Sequence, residues 1–377
     1  MGWPDVLLWS IFLGSTLVQI YFWGGWFDQL ARFQPQVEKR TDQEAPIPVS
    51  LVICARNEAE NLARNLPLFL NQSYRFLDIL VVNDDSSDKT AQVLLDFKQK
   101  NPKLRVLHIG NKSTPGKKAA LSTGIQAAFF EAILLTDADC IPASPQWIHF
   151  MVSGYRQKKG IVLGYSPYLP SRSFLNHFIR FETSYIATQY FSFALAGSPY
   201  MGVGRNLMYP KHLFFNQGGF QAHQHLASGD DDLFINRAAR YSPTQVVLHP
   251  QAFTYSFPKS NWRDYYYQKR RHLSTGSHYR TGHQLALGVL ALSHFGHYAG
   301  LMLLLVFFPD NWMWSLSTFA VRLGVVMWQY RRILRLLQDP LLLPWIPLMD
   351  ALYTLHYLVF APVFFNTGQS RQVTWKQ

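Results

Sequence analysis

Cysteine is nearly absent from this chain, whose 377 residues include only Cys54 and Cys140. Two cysteines are too few for a disulfide framework, and they do not have the spacing of zinc ligands. Each cysteine follows an apolar run that is typical of a buried strand, so we expect two reduced thiols in a protein core. The sequence therefore excludes disulfide-stapled proteins and cysteine-based zinc sites.

Charged residues are also scarce, at 15% of the chain, whereas hydrophobic residues reach 48%. A typical soluble domain has about 25% charged residues, so this composition indicates a soluble domain joined to membrane segments. Acidic residues are rarer than basic ones, and the formal net charge is +12 at pH 7. Because no RNA- or DNA-binding motif accompanies the basic residues, we expect membrane lipids and an anionic substrate as partners, and no nucleic acid.

Long apolar runs lie near both ends of the chain. The first, Leu7 to Trp26, has about twenty mostly apolar positions, enough to cross a hydrocarbon core. It has no Lys or Arg before it and no small-residue cleavage site after it, which favours an uncleaved anchor over a signal peptide. Three more apolar runs follow and bring the predicted number of spans to four: Leu285–Phe308, Trp312–Trp328 and Leu341–Phe365.

Positive charge predicts the orientation of these spans. Arg32, Lys39 and Arg40 follow the first run, which places the next domain on the cytoplasmic side. With that orientation, the basic loop Tyr330–Arg335 also lies inside. We therefore expect an integral membrane protein with a cytosolic domain, a topology that suits a bacterial inner membrane. A polar linker, residues 34–48, separates the first span from that domain.

Between the apolar ends, from Val49 to about Tyr241, short apolar runs alternate with helix-like stretches. The apolar runs end in polar or acidic residues at 49–54, 78–83, 104–109 and 132–137. This alternation predicts an α/β fold, in which parallel strands carry helices on both faces. Ligands of such open sheets bind beyond the carboxyl ends of the strands. Two polar clusters, Asn83–Asp85 and Asp137–Asp139, lie at those ends.

Six short motifs follow one another along the chain. They are VSLVICARNE (Val49–Glu58), ILVVNDDSSD (Ile79–Asp88), PGKKAAL (Pro115–Leu121), ILLTDADC (Ile133–Cys140), SGDDDL (Ser228–Leu233) and QKRRH (Gln268–His272). In this order, over roughly residues 47–275, they resemble the membrane-bound, inverting family 2 glycosyltransferases, which move a sugar from a nucleotide diphosphate to an acceptor. The resemblance implies a Rossmann-like GT-A domain plus transmembrane helices. The expected division is an anchor at 1–30, the catalytic domain at 47–257, an interfacial segment at 258–283 and a membrane region at 284–377.

Asp137 and Asp139 form a D-A-D sequence after a predicted strand. Alternate residues of an extended segment project to the same side, so both carboxylates are expected to face one way. Two hard oxygen donors beside a substrate diphosphate make a natural site for Mg²⁺ or Mn²⁺. The ion would neutralise the leaving nucleoside diphosphate. An ordinary acidic turn after a strand is the alternative.

The resemblance also implies a donor site at the ends of the first two strands. Asp84 aligns with the second aspartate of the family pattern V-V-D-D-G-S, a nucleobase or ribose contact, although Asn83 replaces the first. An Asx turn and helix cap would also explain Asp84. The other donor contacts implied are Ala55, Arg56, Glu58, Lys117 and Asp137. A plain surface lysine remains an alternative for Lys117.

Asp230 is the predicted general base, because it aligns with the aspartate of the family pattern E-D-x-D-L. Gly229 replaces the glutamate of that pattern. A carboxylate that takes a proton from the acceptor hydroxyl typically contributes a factor of about 10²–10⁴ in rate. Asp231 and Asp232 are alternatives for the same role, and Asp231 is also expected to contact the acceptor. A solvated acidic helix start is the structural alternative.

Gln268, Arg271 and His272 read as Q-x-x-R-H, whereas the family pattern is Q-x-x-R-W on an interfacial helix that closes over the substrates. The resemblance makes Gln268 and Arg271 donor contacts, with the guanidinium paired to the diphosphate. His272 takes the place of the tryptophan beside the acceptor. A basic amphipathic helix on the membrane surface is the alternative.

The segment GVGRN (Gly202–Asn206) resembles the glycine-containing loop that borders the acceptor, with Gly204 and Arg205 as contacts. The sequence thus predicts a metal-dependent, membrane-anchored glycosyltransferase with a nucleotide-sugar donor, expected to be a UDP-sugar, and a lipid-linked or glycan acceptor. A processive polysaccharide synthase subunit and a non-catalytic nucleotide-binding subunit are the alternatives. No motif encodes the sugar or the oligomeric state.

Overall fold

The structure is a computed structural model that describes residues 3–35, 45–110, 116–226 and 228–365. Most of the predicted linker, with Lys39 and Arg40, lies outside the described residues, and so does Pro115 of the PGKKAAL motif. The functional motifs are otherwise described in full.

Nine strands lie in the described part of the chain. Their bounds are β1 Val49–Ala55, β2 Leu77–Asp84, β3 Leu104–Ile109, β4 Ala132–Asp137, β5 Cys140–Pro142, β6 Ile161–Gly164, β7 Leu207–Pro210, β8 Thr244–Val247 and β9 Thr254–Ser256. Seven strands form one sheet in the order β3-β2-β1-β4-β7-β6-β8, and β5 pairs with β9 apart from it. The four strands predicted from apolar runs are confirmed as β1 to β4.

The sheet is mixed. Strands β1 to β4 pair in parallel, as predicted, but β7 runs antiparallel to both of its neighbours, β4 and β6. The strands β6, β7 and β8 have four residues each. Apolar runs this short cannot be told apart from helix segments by periodicity, so the antiparallel half of the sheet was not predicted.

The helices are α1 Trp3–Tyr21, α2 Asp28–Ala31, α3 Ala59–Leu70, α4 Thr90–Lys100, α5 Lys117–Ala127, α6 Trp147–Lys158, α7 Phe174–Leu195, α8 Lys211–Asn216, α9 Asp232–Ala238, α10 Trp262–Leu273, α11 Thr281–Phe307, α12 Trp312–Leu336 and α13 Ile346–Phe365. A π-helical turn, Phe22–Trp26, joins α1 to α2. Side chains of α3, α4 and α6 pack on one face of the sheet, and those of α5 and α7 pack on the other. The predicted arrangement of helices on both faces is therefore confirmed.

Aromatic side chains join the sheet domain to the apolar helices. Tyr185 of α7 lies 6.0 Å from Trp23 and 5.1 Å from Tyr353 of α13, between ring centroids. Trp23 also lies 4.8 Å from the ring of Tyr330 on α12. All four side chains are buried in one continuous core. The sheet domain and the helical bundle therefore share a hydrophobic core, which fixes the domain against the bundle.

Three helical segments among the described residues are long and apolar enough to cross a membrane: Asp5–Ala31, Thr281–Phe307 and Pro340–Val363. The fourth predicted span, Trp312–Trp328, does form a helix, as the first part of α12, but α12 lacks a sufficiently apolar window. Its charged residues include Arg322 at the centre and Arg331, Arg332 and Arg335 near the end. Length and hydropathy thus give three candidate spans among the described residues. The helix α12 packs among α1, α11 and α13, and the fourth span stays a prediction.

A buried ion pair connects these helices. The guanidinium of Arg322, fully buried, donates to the carboxylate of Asp350 on α13 and, over 2.9 Å, to the side-chain oxygen of Gln19 on α1. Tyr298 of α11 donates to the same Asp350 carboxylate over 2.6 Å. Ionisable groups inside a membrane bundle normally face protein and pair with one another, and this pair links all four helices.

Candidate active site

Several predicted site residues meet at the carboxyl edge of the parallel strands. Strand β4 ends at Asp137, α5 begins at Lys117, and Asp230 precedes α9. A small cavity lies between them, lined also by Gly204 and Asp231. Because β1 to β4 are parallel, their carboxyl ends open at one edge of the sheet, where ligands of such folds bind.

Lys117 is the centre of this cluster. Its Nζ lies 2.8 Å from Oδ1 of Asp137 and 3.1 Å from Oδ2 of Asp230. Burial lowers the pKa of Lys117, but the two carboxylates outweigh burial and hold the pKa well above its ordinary value. The lysine is therefore charged, and it joins the predicted metal-binding aspartate to the predicted base. The plain surface lysine that was the alternative does not describe this residue.

The D-A-D pair was tested for its fit to a divalent ion. Burial, and next the charge of Asp137, raises the pKa of Asp139, which is the signature of two carboxylates close together. No group of three His, Cys, Asp or Glu side chains in the described part of the chain could hold a metal by itself. Mg²⁺ often binds through one or two carboxylates plus substrate phosphate, so the pair fits an ion that shares its coordination with a diphosphate.

The three consecutive aspartates differ in their surroundings. The carboxylate of Asp231 accepts from the backbone N–H of Gly204 over 2.8 Å and from that of Asp232 over 2.8 Å. Asp232 accepts from the hydroxyl of Thr275 and, over 2.7 Å, from that of Tyr279. These bonds occupy Asp231 and Asp232 in holding the loop and the helix together. Among the described residues Asp230 has Lys117 as its side-chain partner, and it lines the cavity beside Asp231.

The pKa values separate the aspartates in the same way. Burial raises the pKa of Asp230, but the attraction and hydrogen bond of Lys117 outweigh it and leave the pKa below its ordinary value. Burial, and next the charges of Asp230 and Asp232, raise the pKa of Asp231 to about 7. At neutral pH Asp230 is thus ionised and able to accept a proton, as a general base must be.

The backbone conformation of Gly229 accounts for one departure from the family pattern, the glycine in place of glutamate. Its φ is +98°, and an added Cβ would lie 2.6 Å from Cδ1 of Leu233. A glutamate, which the family pattern has here, therefore does not fit this backbone. The glycine sets the turn that leads into Asp230.

We expect Gly229→Ala to lower the free energy of unfolding by about 1–3 kcal/mol, the usual cost of a strained backbone, and to reduce activity by displacing Asp230. Thermal unfolding and turnover measure both effects. Gly197→Ala is the matched control, because Gly197 has φ +77° and open space around it. Equal losses in both variants would contradict a specific clash at residue 229.

Arg205 follows Gly204, which lines the cavity. Its backbone carbonyl accepts from the hydroxyls of Thr136 and Thr254 over 2.9 and 3.0 Å. Its guanidinium lies over the ring of Tyr168, 4.6 Å from the centroid. The amide of Gln268 reaches the hydroxyl of Tyr168 at 3.5 Å. The predicted loop residue Arg205 and the predicted Q-x-x-R-H helix therefore meet through Tyr168, which the sequence did not indicate.

A buried carboxylate anchors α10, the helix that carries Q-x-x-R-H. Oε2 of Glu182 on α7, fully buried, lies 2.9 Å from Nζ of Lys269 and accepts from the hydroxyl of Tyr265 over 2.8 Å. Nε2 of His356 on α13 lies 3.6 Å from Oε1 of Glu182. Lys269 and Tyr265 thus turn one face of α10 inward, while Trp262 and Tyr267 stay exposed. Both the motif and the amphipathic character of the helix fit this placement.

The remaining donor residues lie at the ends of β1 and β2. Asp84, fully buried, is the last residue of β2, and Ala55 is the last of β1. The Nε atom of Arg56 is buried and has no hydrogen-bond partner in the described part of the chain. Glu58 accepts from the amide of Asn61 over 2.6 Å and lines a separate surface groove. Of the predicted donor residues, Lys117 and Asp137 line the cavity, whereas Glu58 lines the separate groove.

Four residues that bear on the site were missed from the sequence: Lys118, Tyr168, Thr275 and Tyr279. Lys118 lies in the PGKKAAL motif but was not singled out there, and the other three belong to none of the six motifs. Each contacts the site through residues far away in the chain. In the loop that precedes these aspartates, His223 is buried and His225 is exposed. The signal in the sequence that this loop approaches the core is the acidic run Asp230–Asp232 after the small residues Ser228 and Gly229.

Comparison with known proteins places the site in context. The family model described as "Glycosyl transferase family 2" matches residues 50–218. The probable glycosyltransferase YdaM of Bacillus subtilis is 28% identical over 181 residues, which are 46% of this chain and 43% of that protein. The beta-monoglucosyldiacylglycerol synthase of Trichormus variabilis is 27% identical over 166 residues, 43% of this chain and 33% of that protein. The chain thus spans less than half the length of these curated relatives.

Among solved structures, the mannosyltransferase PcManGT from Pyrobaculum calidifontis, in complex with GDP-Man and Mn²⁺, has a TM-score of 0.60 with 16% sequence identity. The match covers 93% of this chain and 97% of that chain. At this identity the likeness shows the fold alone, and it confirms the predicted GT-A arrangement of the α/β domain.

Proposed function

We propose that this chain, whose residues 50–218 match the family 2 glycosyltransferase model, transfers a sugar, with inversion, from a nucleotide-diphosphate sugar to an acceptor at the membrane surface. The observation that carries the proposal is the bridge of Lys117 between Asp137 and Asp230. It places a cation and a donor-side carboxylate next to an ionised base in one cavity. Inverting transfer needs these groups on opposite sides of the anomeric carbon.

The donor diphosphate lies beside Lys117 in this proposal, because a buried ammonium is the counter-charge that a diphosphate needs. The nucleobase lies toward Ala55, Arg56 and Asp84 at the ends of the neighbouring strands. A carboxylate at Asp84 accepts from the N–H of uracil, which favours a UDP-sugar. Gln268 and Arg271 close over the donor from α10.

Asp137 and Asp139 would hold Mg²⁺ or Mn²⁺ together with the diphosphate. The ion supplies Lewis acidity and neutralises charge on the leaving group when it is bound. That the PcManGT structure holds Mn²⁺ with GDP-Man supports this assignment. Next to the ion, the protein itself contributes the two carboxylates and the guanidinium of Arg205. Burial lowers the pKa of Arg205, but the neighbouring Tyr168, Cys140 and Asp139 outweigh burial and raise this pKa above its ordinary value.

Asp230 takes the proton of the acceptor hydroxyl as its oxygen attacks the anomeric carbon. The acceptor would lie along Gly204, Arg205, Asp231 and His272, on the side of the cavity away from Asp84. Gly204 and Asp231 are hydrogen-bonded to each other, so they would border the acceptor as one rigid wall. A fixed wall favours a near-attack geometry.

The base lies close to the start of an apolar helix, which supports a membrane-held acceptor. Asp232 is bonded to Thr275 and Tyr279, and Tyr279 is two residues before Thr281, where α11 begins. The side-chain oxygen of Asn236 on α9 accepts from the backbone N–H of Arg280 over 3.0 Å. The relative from Trichormus variabilis is named as a glycolipid synthase. We therefore favour an integral membrane enzyme with a lipid-linked or glycan acceptor.

The test is donor turnover by the purified full chain in detergent, with and without Mg²⁺ or Mn²⁺, over a panel of nucleotide sugars. We expect metal-dependent release of nucleoside diphosphate from one donor, since glycosyltransferases slowly hydrolyse a correct donor without acceptor. Asp139→Ala should abolish the metal dependence. If no donor is turned over and calorimetry detects no nucleotide binding, the chain is not a glycosyltransferase and the proposal fails.

A further inference from the structure

Lys118, next to the central lysine, makes an unusual set of contacts. Its Nζ donates to three backbone carbonyls, those of His223 over 2.6 Å, Leu226 over 3.0 Å and Ser228 over 2.6 Å. The side chain is buried, with 8% of its surface exposed. A lysine ammonium has three N–H donors, so all of them are used on one loop. We call the described residues of 223–228 the base loop, because Asp230 follows directly.

A buried cation at this position needs compensation. Lys117 and Lys118 are the first two residues of α5, where the positive end of the helix dipole disfavours cations. Burial lowers the pKa of Lys118 to about 8, although the negative charges of Asp230, Asp232 and Asp231 act to raise it. Lys118 is thus an ammonium at neutral pH, and the three carbonyls supply the solvation that water would otherwise give.

The two neighbouring lysines, Lys117 and Lys118, contact different parts of the segment that carries Asp230. Lys117 reaches the carboxylate of Asp230 itself, whereas Lys118 reaches the backbone that delivers Asp230 to the cavity. Both start from the same turn of α5, so the helix holds the base by its side chain and by its loop. A base that lies about 1 Å out of place can cost a factor of about 10² in rate.

We infer that Lys118 is a positioning residue that clamps the base loop through its carbonyls and thereby places Asp230 for proton transfer. This inference rests on the proposed function for its catalytic consequence, but the clamp itself is a property of the folded chain. Within the described ranges, the ammonium of Lys118 donates to the base loop and to no residue that we place against the substrates, so donor affinity should not depend on it.

The experiment compares Lys118→Met with Lys211→Met in the full chain. Lys211 is a matched control, because its Nζ also donates to two backbone carbonyls, Gln126 over 2.9 Å and Ala128 over 2.8 Å, away from the site. Two measurements are made on each variant. The first is steady-state kinetics with the correct donor, and the second is hydrogen exchange of peptides that cover residues 221–231.

We expect Lys118→Met to lower kcat by about 10²-fold while the donor KM changes less than about twofold, because misplacing a base affects the transition state and not donor binding. Hydrogen exchange of the base loop should become faster in this variant alone. Lys211→Met should leave kcat and the exchange of the base loop unchanged. Lys118→Gln, which keeps two donors, should lie between wild type and Lys118→Met, and it replaces Lys118→Met if that variant does not fold.

The inference is overturned if Lys118→Met keeps its kcat, if the donor KM rises in step with the fall in kcat, or if Lys211→Met loses as much activity. The exchange data separate this inference from the proposed function. If the wild type turns over no donor, the proposed function fails, and faster exchange of the base loop in Lys118→Met still supports the clamp. Unchanged exchange overturns the clamp whatever the activity.

Discussion

Asp230→Asn is expected to lower sugar transfer by about 10²–10⁴-fold, the usual contribution of a general base. Asparagine keeps the size of the side chain but cannot accept the proton of the acceptor hydroxyl. Lys117 retains Asp137 as a partner at 2.8 Å, so the donor side of the cavity stays intact. The loss should therefore appear in kcat, with little change in the affinity for nucleoside diphosphate.

Asp231→Asn and Asp88→Asn provide the comparison for this prediction. Asp231 holds the backbone of Gly204 and shares the acidic run, whereas Asp88 accepts from the N–H of Thr90 over 2.9 Å at the start of α4, outside the cavity. Single-turnover transfer rates and nucleotide titrations should be measured for all three variants. A larger loss in Asp231→Asn than in Asp230→Asn would move the role of base to Asp231.

Arg322→Met is expected to lower the free energy of unfolding by about 3–5 kcal/mol, since it leaves the buried Asp350 carboxylate without its cation. Asp350 and Arg322 are almost fully buried, and the pair connects α12 to α13. Removing the guanidinium also takes away the donor to Gln19 of α1. The effect should therefore be on the packing of the bundle, and not on the chemistry of the site.

Thermal unfolding in detergent, followed by tryptophan fluorescence, measures this effect. The double variant Arg322→Met with Asp350→Leu should recover most of the stability, because apolar residues of similar volume can replace a buried pair. Arg331→Met is the control on the same helix, where the side chain is exposed. If Arg322→Met unfolds at the same temperature as Arg331→Met, the pair does not hold the bundle.

The parallel half of the fold was readable from the sequence, and so were the candidate residues for the site. β1, β2 and β4 coincide with apolar runs, because a central strand covered on both faces must be apolar along most of its length, whereas β3 lies at the edge of the sheet. Asp84 and Asp137 were noticed because each ends such a run, and parallel strands bring their carboxyl ends to one edge. Both are local signals, since the run and the acid that follows it are adjacent in the chain.

The contacts of the site were not readable in the same way. Lys118 and Ser228 are separated by 110 positions, and Tyr265 and Glu182 by 83. No periodicity relates residues so far apart, and lysine and glutamate have the same appearance in a sequence whether they are solvated or buried.

The sequence by itself thus determined the class of fold, the order of the strands β1 to β4 along the chain and the set of acidic and basic side chains from which a site could be built. Only the tertiary structure decided which partners these groups have. Lys117 joins Asp137 to Asp230, Lys118 holds the base loop, and the hydrogen bonds of Asp231 and Asp232 hold the surrounding loop and helix together. The physical reason is that the local pattern of apolar and polar residues indicates which side chains are buried and which face outward. Which buried group meets which partner depends on the packing of the helices α5, α7 and α9 against the sheet.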